Sequence, residues 1–313
     1  MRVFVAGGGG VIGRRLIPLL VSGGHRVVAS THSGRSSAAL RRLGAEPVTL
    51  DGLDALAVTE VVGRSAPDIV VHQMTALAGR SDLRRFDRTF ARTNELRTVG
   101  TEHLLAAARD AGAGTFIAQS FTGWPNTRAG SRVKTEDEAL DPSPPRTQRR
   151  TLEAIEHLEH AVTSSPLTGV VLRYGFLYGP GCSDELIGAV RRRRLPIVGG
   201  GTGVWSFLHV DDAATATMAA IEHPRPGIYN IVDDDPAPVV EWLPHLAQVV
   251  GAPRPMRIPS WLARPVAGEV VVSMMTSIRG SSNAKAKDVL EWNPTWETWR
   301  RGFAEGLGLP EPA

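Results

Sequence analysis

The sequence predicts an α/β fold, a doubly wound parallel sheet followed by a smaller C-terminal unit. Three observations carry this. Short β-branched runs alternate with helically spaced apolar residues through the first half of the chain. A glycine cluster, Gly7 to Gly13, directly follows the first run. Beyond about Tyr174 the alternation loosens, and proline and glycine accumulate at 179–181, 199–201 and 223–227. Strands joined by helical crossovers lie parallel, and such a sheet needs cover on both faces.

Taken in order, the candidate strands are Arg2–Ala6, Arg26–Ala29, Pro47–Leu50, Ile69–His72, Thr115–Gln119 and Gly169–Arg173. Between the first two, Val11, Ile12, Leu16, Leu19 and Leu20 share a helical face; Leu104, Leu105 and Ala108 form part of another. The stretch Pro125–Pro145 is polar, proline-punctuated and aperiodic, and reads as a long loop near the C-terminal edge of the sheet.

Composition removes several classes of function. At 42% apolar and 21% charged residues over 313, the chain is an ordinary globular one. It has no run of 18 apolar residues and no leader-like N-terminal segment, so neither a membrane partner nor export is expected, and the cytoplasm is the expected location. The single cysteine, Cys182, excludes an intrachain disulfide framework. No H-x-x-x-H or H-E-x-x-H pair occurs, so no metal is expected. Three of the 35 basic residues are lysines (Lys134, Lys285, Lys287) and the rest arginines. They lie scattered among 32 acids rather than in one block, which argues against nucleic acid as a partner.

The glycine loop carries the chemistry. Gly7, Gly10 and Gly13 keep the spacing G-x-x-G-x-x-G between a strand and a helix, with Val11 and Ile12 between the last two. Such a loop turns tightly, lets its backbone approach a pyrophosphate, and presents the free N–H groups of a helix start to the phosphates. A dinucleotide is therefore expected there. At the end of the second strand, an acid would hold the ribose 2′-hydroxyl of NAD. This chain instead reads Ser30-Thr31-His32-Ser33-Gly34-Arg35. Thr31, His32 and Arg35 suit a 2′-phosphate, so NADP is favoured, with NAD the alternative. Asp51 is placed to accept from the adenine amino group or to cap a helix. Gln73, Met74 and Thr75, after the fourth strand, are placed to flank the nicotinamide ribose and pyrophosphate.

These residues resemble the extended short-chain dehydrogenases/reductases, the NAD-dependent epimerase/dehydratase family, in six ordered stretches. Ala6–Gly13 looks like the family's T-G-x-x-G-x-x-G, and Asp68–His72 like its D-x-V-x-H strand. Gly100–Ala108 is similar to its fourth helix, and Leu172–Gly181 to its L-R-x-x-x-x-Y-G-P-G. Phe207–Asp212 resembles H-V-D-D, and Leu290–Pro294 resembles L-G-W-x-P. The resemblance implies a Rossmann-like cofactor domain over 1–173, with later strands added from about 204–232, and a mainly substrate-binding domain over 174–313. It implies hydride chemistry through a nicotinamide, with a serine or threonine, a tyrosine and a lysine at the reacting centre.

The chain departs from that pattern twice. Gln119–Trp124 places Ser120 at the family's serine/threonine position, with Thr122 beside it. The following Tyr-x-x-x-Lys pair has no counterpart, since residues 144–153 contain neither tyrosine nor lysine. Before the H-V-D-D-like segment, Trp205 stands where many nucleotide-sugar enzymes carry an arginine. The expectation is an NAD(P)-dependent oxidoreductase or epimerase-like enzyme acting on a small carbonyl or hydroxyl compound. Ser120 and Thr122 are its candidate catalytic hydroxyls, and Ser120 also borders the cofactor. The alternative is an NAD(P)-binding sensor or interaction protein that has lost catalysis. A homodimer is an analogy from the fold.

Overall fold

The computed structural model describes residues 1–77 and 82–309; the side chain of Arg35 lies outside that description. Seven strands build the main sheet: β1 (Arg2–Ala6), β2 (Arg26–Thr31), β3 (Glu46–Thr49), β4 (Ile69–His72), β5 (Thr115–Phe121), β6 (Thr168–Tyr174) and β7 (Gly227–Ile231). Their order is β3-β2-β1-β4-β5-β6-β7 and every neighbouring pair is parallel. The strand order reverses between β1 and β4. The crevice beyond the C-terminal ends at such a reversal is where these folds bind ligands.

Two strands run further than their β-branched runs. β2 continues through Ser30 and Thr31, which register against Val48 and Thr49. β5 continues through Ser120 and Phe121, which register against Arg173 and Tyr174. A parallel neighbour supplies the ladder partners, so pairing rather than residue propensity sets these ends. Both faces are covered. Val3 and Val5 pack with Leu16, Ile17 and Leu20 of helix α1 (Gly13–Ser22). Phe4 and Ala6 face Val58, Val62, Leu104 and Ala108 on the other side. The first helix starts later than its apolar pattern, because Gly7–Ile12 are used by the turn: Gly10 donates to the Gly7 carbonyl at 3.0 Å and Arg14 to that of Gly10 at 3.0 Å.

Two further helices frame the sheet, α2 (Arg149–Thr163) and α3 (Val210–Glu222). Of the 204–232 stretch, only β7 joins the main sheet. Phe207–His209 pairs in parallel with Phe176–Tyr178 instead. The chain leaves the sheet at Gly175, whose backbone lies so close to Ser206 that a Cβ there would sit 2.6 Å from the Ser206 carbonyl oxygen. Beyond this point a second, aromatic core gathers Tyr178, Trp205, Phe207, Trp242, Trp299 and Phe303, with Phe176 stacked on Trp205 at a 3.8 Å centroid separation. Helices α4 (Ser260–Ala267) and α5 (Glu269–Thr276) close that side.

The 125–145 segment has little regular structure but is pinned. Asn126 Nδ2 donates to the Gly280 carbonyl at 3.2 Å and to Ser281 Oγ at 2.9 Å. Val133–Lys134 pairs with Gly280–Ser281, and the buried Lys134 ammonium donates to Glu138 Oε1 at 2.6 Å and to the Ala129 carbonyl.

Candidate functional site

A cavity of about 340 Å³ opens at the C-terminal ends of β1, β2 and β4. Its floor is the glycine loop. Gly7 has φ +88°, a conformation that favours glycine, and a Cβ on it would lie 2.7 Å from the Gln73 carbonyl oxygen. Gly13 packs backbone to backbone, and its Cβ would meet Gly8 Cα at 2.6 Å. Ser30 Oγ accepts from the Gly7 N–H at 3.0 Å and so ties the loop to β2.

Of the residues expected at a dinucleotide, Gly7, Gly10, Thr31, His32, Asp51, Gln73, Met74 and Thr75 line this cavity. Gly13 stands behind the loop as its packing surface. Val11 and Ile12 form the turn into α1, with Ile12 buried and Val11 half-buried. Arg35 falls in the turn Gly34–Ser36, but its side chain lies outside the described residues. Asp51 does not cap the following helix: Asp54 does, accepting from the Ala57 N–H at 3.0 Å. Both carboxylate oxygens of Asp51 instead accept from the one nitrogen Arg92 Nη2, at 3.1 and 2.9 Å.

Several wall residues were not singled out in the sequence. Arg92 and Leu96 reach the cavity from elements further along the chain, and no local spacing marks them, while Gly52 adjoins Asp51 after β3. Arg14, exposed at the start of α1, donates to the Gly9 carbonyl at 2.9 Å and to Ser36 Oγ at 3.4 Å. It thus places a guanidinium at the end of β2. Its signal was available: it is the residue after the last glycine of the loop.

The two candidate catalytic hydroxyls are held elsewhere. Ser120 Oγ donates to Glu159 Oε1 at 2.7 Å. The same carboxylate receives Arg173 Nε at 2.8 Å and Nη2 at 2.6 Å, and all three side chains are buried. The single Ser120 proton is therefore committed to a buried ion pair. Thr122 Oγ1 lies 2.6 Å from Ser281 Oγ and 3.2 Å from Asn126 Oδ1, in the knot that fastens the 125–145 segment. Neither residue lines the cavity at the glycine loop.

The three tyrosines are also engaged or enclosed. Tyr174 Oη accepts from Gln73 Nε2 at 2.8 Å. It lies 2.7 Å from Thr217 Oγ1, whose own proton goes to the Ala213 carbonyl, so Tyr174 donates to Thr217. Burial pushes its phenol up to about 12. Burial also raises the Tyr178 phenol, with the nearby carboxylates of Asp233 and Asp212 adding to the effect. Tyr229 Oη donates to the Arg225 carbonyl at 3.1 Å. His72, at the end of β4, is pushed down to about 4 by burial and is therefore neutral at pH 7. Its Nδ1 accepts from the Met74 N–H at 3.2 Å, which leaves the proton on Nε2 to donate to the Leu96 carbonyl at 3.2 Å. This ring joins the turn after β4 to the π-helical turn Leu96–Gly100.

The residues present fit a dinucleotide. The loop offers bare backbone where a pyrophosphate must approach, and it leads into the N-terminal, positive end of the α1 dipole. On the cavity wall, Gln73 Oε1 is buried without a hydrogen-bond partner, an acceptor that a ligand hydroxyl would satisfy. Among the described residues no group of three or more His, Cys, Asp or Glu side chains is arranged to hold a metal. No described helix is long and apolar enough to cross a membrane.

Comparison with known proteins agrees with this geometry. A family model described as the NAD dependent epimerase/dehydratase family matches residues 3–232. A 3-diazoavenalumate denitrifying reductase from a Streptomyces species is 42% identical over 310 residues, covering 97% of this chain and 99% of the relative. A quinoline-oxide ketoreductase from Stigmatella aurantiaca is 30% identical, covering 80% and 74%. Among solved structures, the UDP-glucose 4-epimerase of Thermotoga maritima superposes with a TM-score of 0.75 at 22% identity, covering 98% and 97% of the two chains.

Proposed function

Because this chain belongs to the NAD-dependent epimerase/dehydratase family, and is thus an oxidoreductase/epimerase-type enzyme, we propose that it is an NADPH-dependent reductase that replaces an aryl diazo group by hydrogen. The observation that carries this is the missing proton donor. Residues 144–153 hold neither tyrosine nor lysine, Ser120 gives its proton to Glu159, and Tyr174 gives its proton to Thr217. Ketone reduction consumes a hydride and a proton. Reduction of an aryl diazonium consumes a hydride alone: the C–N bond breaks, a C–H bond forms, and N2 leaves with the positive charge neutralised. The relative at 42% identity is named for a denitrifying reduction of a diazo compound, and that chemistry suits a chain without the family's tyrosine–lysine pair.

When bound, the reduced nicotinamide supplies the hydride and is itself oxidised. The chain's own residues bind and orient. The loop from Gly7 to Gly13 holds the pyrophosphate, with Thr31, His32 and Arg14 at the 2′-phosphate and Asp51 near the adenine. Gln73, fixed by Tyr174, holds the nicotinamide-side ribose together with Met74 and Thr75. Ser120 positions the end of β5 through Glu159 rather than touching substrate. We take residues 1–173 with β7 as the cofactor unit and most of the remainder as the substrate unit.

The test is turnover of 4-carboxybenzenediazonium with NADPH deuterated at C4. The expected products are equimolar N2 and benzoate carrying deuterium at the former diazo carbon, at a rate above the enzyme-free control. Turnover of ketones but not of the diazonium, or N2 release without deuterium transfer, refutes the proposal.

A further inference from the structure

We propose that a second cavity, between the 125–145 segment and helices α4 and α5, binds the carboxylate of an aromatic acid, with Arg128 as its charge partner and Trp261 as its stacking surface. The inference rests on the reductase reading and extends it to the substrate's far end. The cavity measures about 390 Å³ and is lined by Arg128, Asp141, Pro145 and Trp261 among others.

The unpartnered end of the Arg128 guanidinium points to an anion. Arg128 Nε meets Asp141 Oδ2 at 3.2 Å, but its Nη1 and Nη2 are buried without a hydrogen-bond partner among the described residues. Burial lowers the pKa of this guanidinium, and the Asp141 carboxylate only partly opposes that. A second guanidinium stands beside it, since Arg279 Nε and Nη2 donate to the Arg128 carbonyl at 3.0 and 2.9 Å. The charged groups lining the wall balance, Arg128 with Asp141 and Arg264 with Glu269 at 3.3 Å. What is left open is the fork of Arg128, whose two terminal nitrogens a ligand carboxylate would engage in two parallel hydrogen bonds.

The aromatic part follows from the rim. Trp261 is 75% exposed although it borders the cavity. A flat ring laid over it would bury aromatic surface that is otherwise open to water. Pro145 lies both in this wall and in the 144–153 stretch that lacks the tyrosine. The segment that carries Arg128 is pinned through Asn126 to Gly280 and Ser281.

The test uses the NADP⁺-loaded protein with trans-cinnamate and its uncharged amide, read by calorimetry. Cinnamate should bind more tightly than the amide and weaken with rising salt, while the amide does not. Arg128→Met should weaken cinnamate by about 10- to 100-fold and the amide by less than about twofold. Arg128→Lys should fall between the wild type and Arg128→Met. Trp261→Ala should weaken both ligands alike. Equal binding of acid and amide by the wild type, no binding of either, or equal losses for both in Arg128→Met overturns the proposal. Should Arg128→Met fail to fold, the salt dependence in the wild type decides alone. Cinnamate binding needs no turnover, so failure here is separable from failure to release N2.

Discussion

Ser120→Ala separates a catalytic hydroxyl from a positioning one. In the structure the hydroxyl donates to Glu159 at 2.7 Å, and the carboxylate keeps its two bonds from Arg173 when that donor is lost. The change removes one charge-assisted hydrogen bond, worth roughly 1.5–3 kcal/mol. Unfolding entropy for a chain of this length makes that a fall in Tm of roughly 2–5 °C. Turnover at 25 °C should stay within about threefold of wild type, since the variant remains folded there. Glu159→Gln provides the scale: breaking a buried pair from one side costs about 3–5 kcal/mol, or roughly 5–8 °C. Glu159→Leu combined with Arg173→Met should recover most of that loss, because no buried charge is then left alone. Calorimetric melting and NADPH-dependent turnover, measured on the same samples, check both sides. A hundredfold loss of kcat in Ser120→Ala with an unmoved Tm would refute the reasoning and return Ser120 to the reacting centre.

Two further outcomes follow from the same geometry. If Arg14 meets a 2′-phosphate as proposed, Arg14→Ala should weaken NADPH about 10- to 100-fold more than NADH in fluorescence titration, any loss shared by both reporting its bond to the Gly9 carbonyl; equal losses for both would remove Arg14 from the 2′-phosphate site. His72 is neutral in the fold, with its pKa near 4 against 6.5 when free. The unfolded chain therefore takes up the proton first, and stability present above pH 6.5 is lost as pH falls towards 4, by about 3 kcal/mol. His72→Gln should flatten that slope in denaturant titrations at pH 7 and pH 4.5, and an unchanged slope would contradict the burial argument.

Much of the fold is readable locally. Alternation of β-branched runs with helical faces predicts parallel strands, and the six strands expected from the sequence all appear, with ends shifted by up to two residues. β7 carries less signal, because Gly227 opens it and prolines precede it; it becomes a strand by pairing with β6. The same applies to Ser30 and Ser120, which read as loop residues but are drawn into the sheet by their neighbours.

The candidate site divides similarly. Gly7, Gly10 and Gly13 can be picked out from sequence because their requirement is local: at Gly7 and Gly13 a Cβ would lie within 2.7 Å of neighbouring backbone, and at Gly10 it would sit 3.2 Å from the Gly7 carbonyl oxygen. The missing tyrosine and lysine are also plain in the sequence, since absence needs no geometry. Which partners Ser120, Arg92 and Arg128 meet is decided only by tertiary structure. Their partners Glu159, Asp51 and Asp141 lie 39, 41 and 13 residues away. Hydrogen bonding and desolvation act through space, so which hydroxyl is free and which guanidinium lacks a partner depend on packing that no local pattern encodes.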